Sequence, residues 1–134
     1  MKRVKEAEWL TTPRLEALVD GIFAIAMTML VLNLTIPHIA HNAAVQMLPG
    51  ILWGQMNDMF NYMLSFILLA LFWMRHHRLS HFIRRTNNMH VWINIIMLMF
   101  VSILPFTTSL MGIYPQLQLP NILFHSNLFF LALF

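Results

Sequence analysis

Apolar residues in this chain come in long unbroken runs, not in the alternating or striped patterns of a water-soluble domain. The first run extends from Ala17 to Pro37 with Asp20 as its only charge, the second from Ile51 to Met74 with only Asp58, and the third from Val91 to Tyr114 with none. Each reaches the roughly 20 residues that cross a hydrocarbon core of about 30 Å. A fourth run starts at Asn121, after Pro120, and is still apolar at Phe134. At about 1.5 Å per residue it covers roughly 21 Å, which is too short to cross. The pattern predicts an all-α, polytopic membrane helix bundle forming one transmembrane domain over 1–134. That domain has an N-terminal segment 1–16, full spans 17–37, 51–74 and 91–114, and a fourth span cut short at 121–134. A hydrophobic helix ordinarily ends in a charge or an interfacial anchor, so the fourth run is expected to belong to a polypeptide that continues. The charged stretch before the first run, its internal Asp20 and the lack of a small-residue pattern before Pro37 argue against a cleaved signal peptide.

Composition agrees and narrows the picture. Hydrophobic residues make up 59% of the 134 residues and charged ones 10%, against about 45–50% and about 25% in soluble domains. With no cysteine, disulfides, iron–sulfur clusters and thiol chemistry are excluded. A net charge of +3 spread over so apolar a chain makes a poor phosphate-binding surface, so no nucleic-acid partner is expected. The cations read instead as topology signals. Lys2, Arg3, Lys5 and Arg14 precede the first span, and Arg75, Arg78, Arg84 and Arg85 lie between the second and third. The segments His38 to Pro49 and Pro115 to Pro120 carry no Lys or Arg. The positive-inside rule therefore predicts a multi-pass cell-membrane protein with a cytoplasmic N-terminus and those two segments outside. Trp9, Trp53, Trp73, Trp92 and Tyr114 fall near the expected interfaces. Pro105, inside the third span, predicts a kink there.

Polar groups within spans are costly unless paired or facing water, which makes them informative. Asp20 lies one turn into the first span, with Glu16 four residues earlier on the same face, a spacing at which like charges repel. With the N-terminus inside, the start of the first span, the end of the second (Trp73-Met74-Arg75-His76-His77-Arg78) and the start of the third share one depth. Arg14, Asp20, His76, His77 and Asn94 are thus expected to form one hydrogen-bonded cluster, against the alternative that the two histidines are solvated loop residues. No metal site is expected. Adjacent histidines point about 100° apart on a helix, and although His77 and His81 have i, i+4 spacing, no acid-bearing helix completes a ligand set.

No Gly-rich phosphate loop, nucleophile elbow or carboxylate pair flanking a cleft is present, so an enzyme is not expected, nor any cofactor. Gly50 and Gly54 form a small-xxx-small pair of the kind that lets helices approach closely. Ile25, Thr28, Met29 and Leu32 form one stripe on the first helix, with a single hydroxyl near mid-membrane. Thr28 either bonds back to the Ala24 carbonyl, as is common, or joins a ring of such stripes around an axis. Asp58 and Asn61, with Asn57 beside them, lie about 10 Å below the outer surface and face an outer vestibule or another helix.

The segment from Arg14 through Asp20 to Thr28, together with Trp73-x-x-His76-His77, Asn94 and Leu104-Pro105-Phe106, resembles the transmembrane protein 175 family. These are potassium channels of endolysosomes and prokaryotes, with the signature Arg-x-x-x-Phe-Ser-Asp. Here Leu18 and Val19 stand where the signature has Phe and Ser. The resemblance implies a six-helix single-repeat subunit, a homotetramer in the lipid bilayer and a central pore lined by first helices. It further implies that Ile25 is the apolar constriction, with Thr28, Met29 and Leu32 lining the pore beyond it. Arg14, Asp20, Trp73, His76, His77 and Asn94 would hold the helices together without touching ions. Potassium would be a passing ion and not a resident metal, with protons a second permeant. An apolar ring can gate by dewetting, and potassium sheds its water more easily than sodium. Two other readings stay open at this point: a proton-coupled small-solute transporter using Asp20 or Asp58, and a truncated non-conducting membrane protein.

Overall fold

The computed structural model describes residues 12–35, 37–80 and 87–134. Lys2, Arg3, Lys5, Trp9, His81, Arg84 and Arg85 lie outside the described residues. Helix α1 spans Thr12–Met29 and tightens into a 3-10 turn over Leu30–Asn33. Pro13 sits in the first turn of α1, where a missing N–H breaks no helical bond. After it come α2 (His41–Gly54), α3 (Met56–Ser80), α4 (Asn88–Ile113) and α5 (Gln118–Leu133). Asn87 caps α4, its side-chain oxygen accepting from the His90 N–H at 2.8 Å. The described residues contain no strand. Three helical segments, Thr12–Asn33, Met56–Ser80 and Asn88–Ile113, are long and apolar enough to cross a membrane, so the all-α membrane bundle expected from the sequence is the fold.

One expectation changes. The segment before Ile51 is not a loop, because its good helix formers Ala43, Ala44, Gln46, Met47 and Leu48 build α2, which tolerates Pro49 and absorbs residues 51–54 before a turn at Gln55. None of α2 is buried. Gly50 and Gly54 fall on this helix, where an added Cβ at either would meet nothing within 4 Å, so among the described residues of this chain they bring no two helices close. At 16 residues α5 is short of a full span, and Arg75 Nη1 on α3 donates to the Ala132 carbonyl in its last turn at 3.0 Å.

The helix α4 is the centre of the bundle and packs against α1, α3 and α5. Its Met97, Leu98, Val101 and Leu104 meet Val19, Phe23, Ala26 and Leu30 from α1 and its 3-10 turn, Leu69 from α3, and Phe124 and Leu131 from α5. Phe100 stacks on Phe130 with ring centroids 5.1 Å apart, which ties α5 to the middle of α4. Pro105 lies inside α4, where it removes one backbone donor. Polar side chains gather around it: Asn33 Nδ2 donates to the Pro105 carbonyl at 3.0 Å, and the Thr107 and Thr108 hydroxyls each donate to the Leu104 carbonyl at 3.0 Å.

Candidate functional site

At one end of the bundle, the basic end, the start of α1, the end of α3 and the start of α4 meet. The Trp73 indole N–H donates to Asp20 Oδ1 at 2.8 Å, joining α3 to α1. One turn on, the His77 ring stacks on Trp73 with centroids 5.5 Å apart and planes 24° apart. Asn94 is 2% exposed, so its amide needs a protein partner. It finds one within α4: Nδ2 donates to the His90 carbonyl at 2.8 Å and sits 3.2 Å from His90 Nε2. Half-buried His76 lines a narrow cleft with Glu16, His90 and Asn94, and so lies between the two sets. Arg14 is exposed in the first turn of α1 and, among the described residues, joins none of these contacts. The expected single cluster is therefore two adjacent sets, Asp20–Trp73–His77 and His90–Asn94, with His76 between. Among the described residues no group of three His, Asp or Glu side chains comes together as a metal site.

Helix α1 has two unlike faces. Leu15, Val19, Phe23, Ala26 and, past its end, Leu30 recur every three to four residues and are buried. Opposite them, Ile25 is 58%, Met29 48% and Leu32 68% exposed, and Thr28 is exposed as well. Thr28 Oγ1 donates to the Ile25 carbonyl at 2.8 Å, not to that of Ala24. All four residues of the expected stripe thus lie on a face that α3, α4 and α5 leave uncovered. The exposed positions Leu18, Gly21, Ile25, Thr28 and Leu32 also follow a 3, 4, 3, 4 spacing. That is a spacing at which residues line one face of a helix.

The opposite, far end holds polar groups that the sequence reading largely passed over. Ser65 and Thr108 are buried and their hydroxyls lie 3.0 Å apart, linking α3 to α4. Asn33 tethers the 3-10 turn to α4 through Pro105. The signal for these was present, since every intramembrane polar side chain needs a partner. Asp58 and Asn61 line a cavity of about 90 Å³ between the 3-10 turn, α3 and α4.

An all-helical bundle with a packed core, a polar lock at one end and three helices long and apolar enough to cross a membrane defines a polytopic membrane protein. The chain belongs to the TMEM175 family. The family model described as endosomal/lysosomal potassium channel TMEM175 matches residues 14–105. A curated potassium channel of Chryseobacterium sp. is 34% identical over 104 residues, covering 77% of this chain and 50% of that protein. One from Chamaesiphon minutus is 33% identical over 118 residues, covering 84% and 57%, and one from Streptomyces collinus is 30% identical over 105 residues, covering 75% and 48%. The chain thus spans about half the length of the curated relatives it matches. A crystal structure of a lysosomal potassium-selective channel TMEM175 homologue from Chamaesiphon minutus superposes with a TM-score of 0.82 at 29% identity, covering 91% of this chain and 66% of that one. The family is one of ion channels, not enzymes.

Proposed function

We propose that this chain forms a potassium channel in the cell membrane, with the α1 helices of a homotetramer surrounding a central pore. The observation that carries this reading is the uncovered seam of α1, apolar but for Thr28 and opposite a fully packed face. Lipid offers no hydrophobic drive for one helix face to hide from it, so a face with seam spacing has its use in helix–helix packing around an axis. Ile25 is the constriction, and Thr28, Met29 and Leu32 line the pore beyond it. A ring of Ile side chains gates by dewetting and makes a cation shed part of its water, which favours potassium over sodium; protons are a second permeant. Asp20, Trp73, His76, His77 and Asn94, with Arg14 at the helix entry, hold the wall in place and touch no ion. The N-terminus is cytoplasmic, since the described cations Arg14, Arg75 and Arg78 share one end of the bundle.

Passive potassium flux into liposomes tests the reading. Ile25→Asn should raise leak roughly tenfold and relax the preference for potassium over sodium; unchanged flux and selectivity would overturn the pore assignment. Uptake that required a proton gradient and vanished in Asp58→Asn would favour the transporter instead. As the chain has no native cysteine, a single cysteine placed at Thr12 reports orientation, and labelling of intact cells by an impermeant maleimide would reverse the topology.

A further inference from the structure

We propose that the far-end cavity binds one monovalent alkali cation, at a site separate from the α1 seam. The cavity lies between the 3-10 turn, α3 and α4, and its donors are the Asp58 carboxylate, the Asn33 and Asn61 amides, and the Thr35, Thr108 and Ser109 hydroxyls. All are oxygen-bearing groups, the set that suits hard cations, and no Lys, Arg or His lines it. Asp58 is half-buried and makes no hydrogen bond or ion pair among the described residues. It lies in the first turn of α3 and faces an open, polar-lined cavity, where a cation would balance its charge. One alkali cation neutralises it, whereas a divalent ion would leave an excess positive charge in the same surroundings. A volume of about 90 Å³ has room for an ion and several waters, one water needing about 10–15 Å³ of such space.

A second observation shows that the carboxylate's place depends on the residue facing it. A Cβ built on Gly112 of α4 would lie 2.9 Å from Asp58 Oδ1 and 3.6 Å from its Cγ. A side chain at 112 would push the end of the carboxylate aside by a small rotation, so glycine there leaves it room at the wall of the cavity. Asn33 is held beside it by its bond to the Pro105 carbonyl, so the lining is fixed from two of its three walls.

The test is the thermal stability of the purified chain in detergent, in potassium or rubidium chloride against N-methyl-D-glucamine chloride at equal ionic strength. A ligand bound only by the folded state raises the midpoint by mass action. The wild type should gain about 3–5 °C in the alkali salts, Asp58→Asn should lose that gain, and Gly112→Ala should raise the half-saturating potassium concentration about tenfold. Ile25→Asn should keep the gain in full. Absence of any gain in the wild type, or its retention in Asp58→Asn, would overturn the proposal; the latter would assign the ion to the α1 seam and leave the channel reading standing. If Asp58→Asn does not fold, Asn61→Ala, which keeps the carboxylate, carries the same test, and an unshifted potassium titration in it counts against the site.

Discussion

The two faces of α1 are both apolar but for the Thr28 hydroxyl, and they have opposite fates. Phe23, Val19 and Ala26 are buried against α3 and α4, while Ile25, Met29 and Leu32, a residue or two away, are left open. Hydropathy cannot tell these faces apart, because in lipid both are at home. Shape tells them apart instead: the inner face carries the aromatic ring and the small alanine that interlock with α4, whereas the outer face carries the seam spacing. In a membrane protein, then, the apolar majority marks the solvent, and position around the helix marks the role.

The comparison is broken most severely from the inner face. Phe23 is 1% exposed in the centre of the core, and Phe23→Ala should lose about 3–5 kcal/mol of bundle stability through the cavity it leaves. An SDS unfolding titration reads this. On the outer face, Ile25→Ala should leave the same titration within about 0.5 kcal/mol of wild type. Equal losses at the two positions would abolish the distinction between the faces.

A smaller loss is expected where polar groups fix α1 against α3. Trp73→Phe keeps the ring that stacks on His77 and deletes the N–H that donates to Asp20 at 2.8 Å. Hydrogen bonds between membrane helices are worth about 0.6 kcal/mol on average and at most about 1.7. The loss should fall in the upper part of that range, as the acceptor is a carboxylate. Asp20→Asn should cost less, because an amide oxygen still accepts. The reverse order would mean that the charge of Asp20 matters more than the bond.

Much of this was legible in the sequence, and the limits have physical causes. Three spans followed from run length, and the Asn87 cap starts α4 at Asn88, ahead of the apolar run. Helix α2 was missed because its own apolar residues merge with those of the next span. That Asp20 needs a partner at its own depth was legible, because charge in a span demands one; that the partner is the Trp73 indole was not, since charge and depth pointed to Arg14, His76 and His77 and placed Trp73 at the interface. Asn94 lies at the expected level, but with His90 one turn back on its own helix, a pairing that depth alone does not distinguish from one across helices. Ser65 and Thr108 escaped for a related reason: in any helix a hydroxyl can satisfy itself on a carbonyl of the preceding turn. Nothing in the order of residues says which hydroxyls also reach across.

That pair gives the finest probe of the comparison, because it joins α3 to α4 without touching α1. Ser65 Oγ and Thr108 Oγ1 are 3.0 Å apart, and Thr108 also donates to the Leu104 carbonyl, so Ser65 is the donor between them. Ser65→Ala removes that donor and little volume, whereas Thr108→Val keeps the shape and removes the acceptor. Each should cost about 0.6 kcal/mol, and since both delete the same bond, the double variant should cost little more than either alone. A coupling near zero in that cycle would mean that the two hydroxyls are only neighbours, each satisfied within its own helix, and that α3 and α4 are held by Leu69 and its apolar surroundings alone.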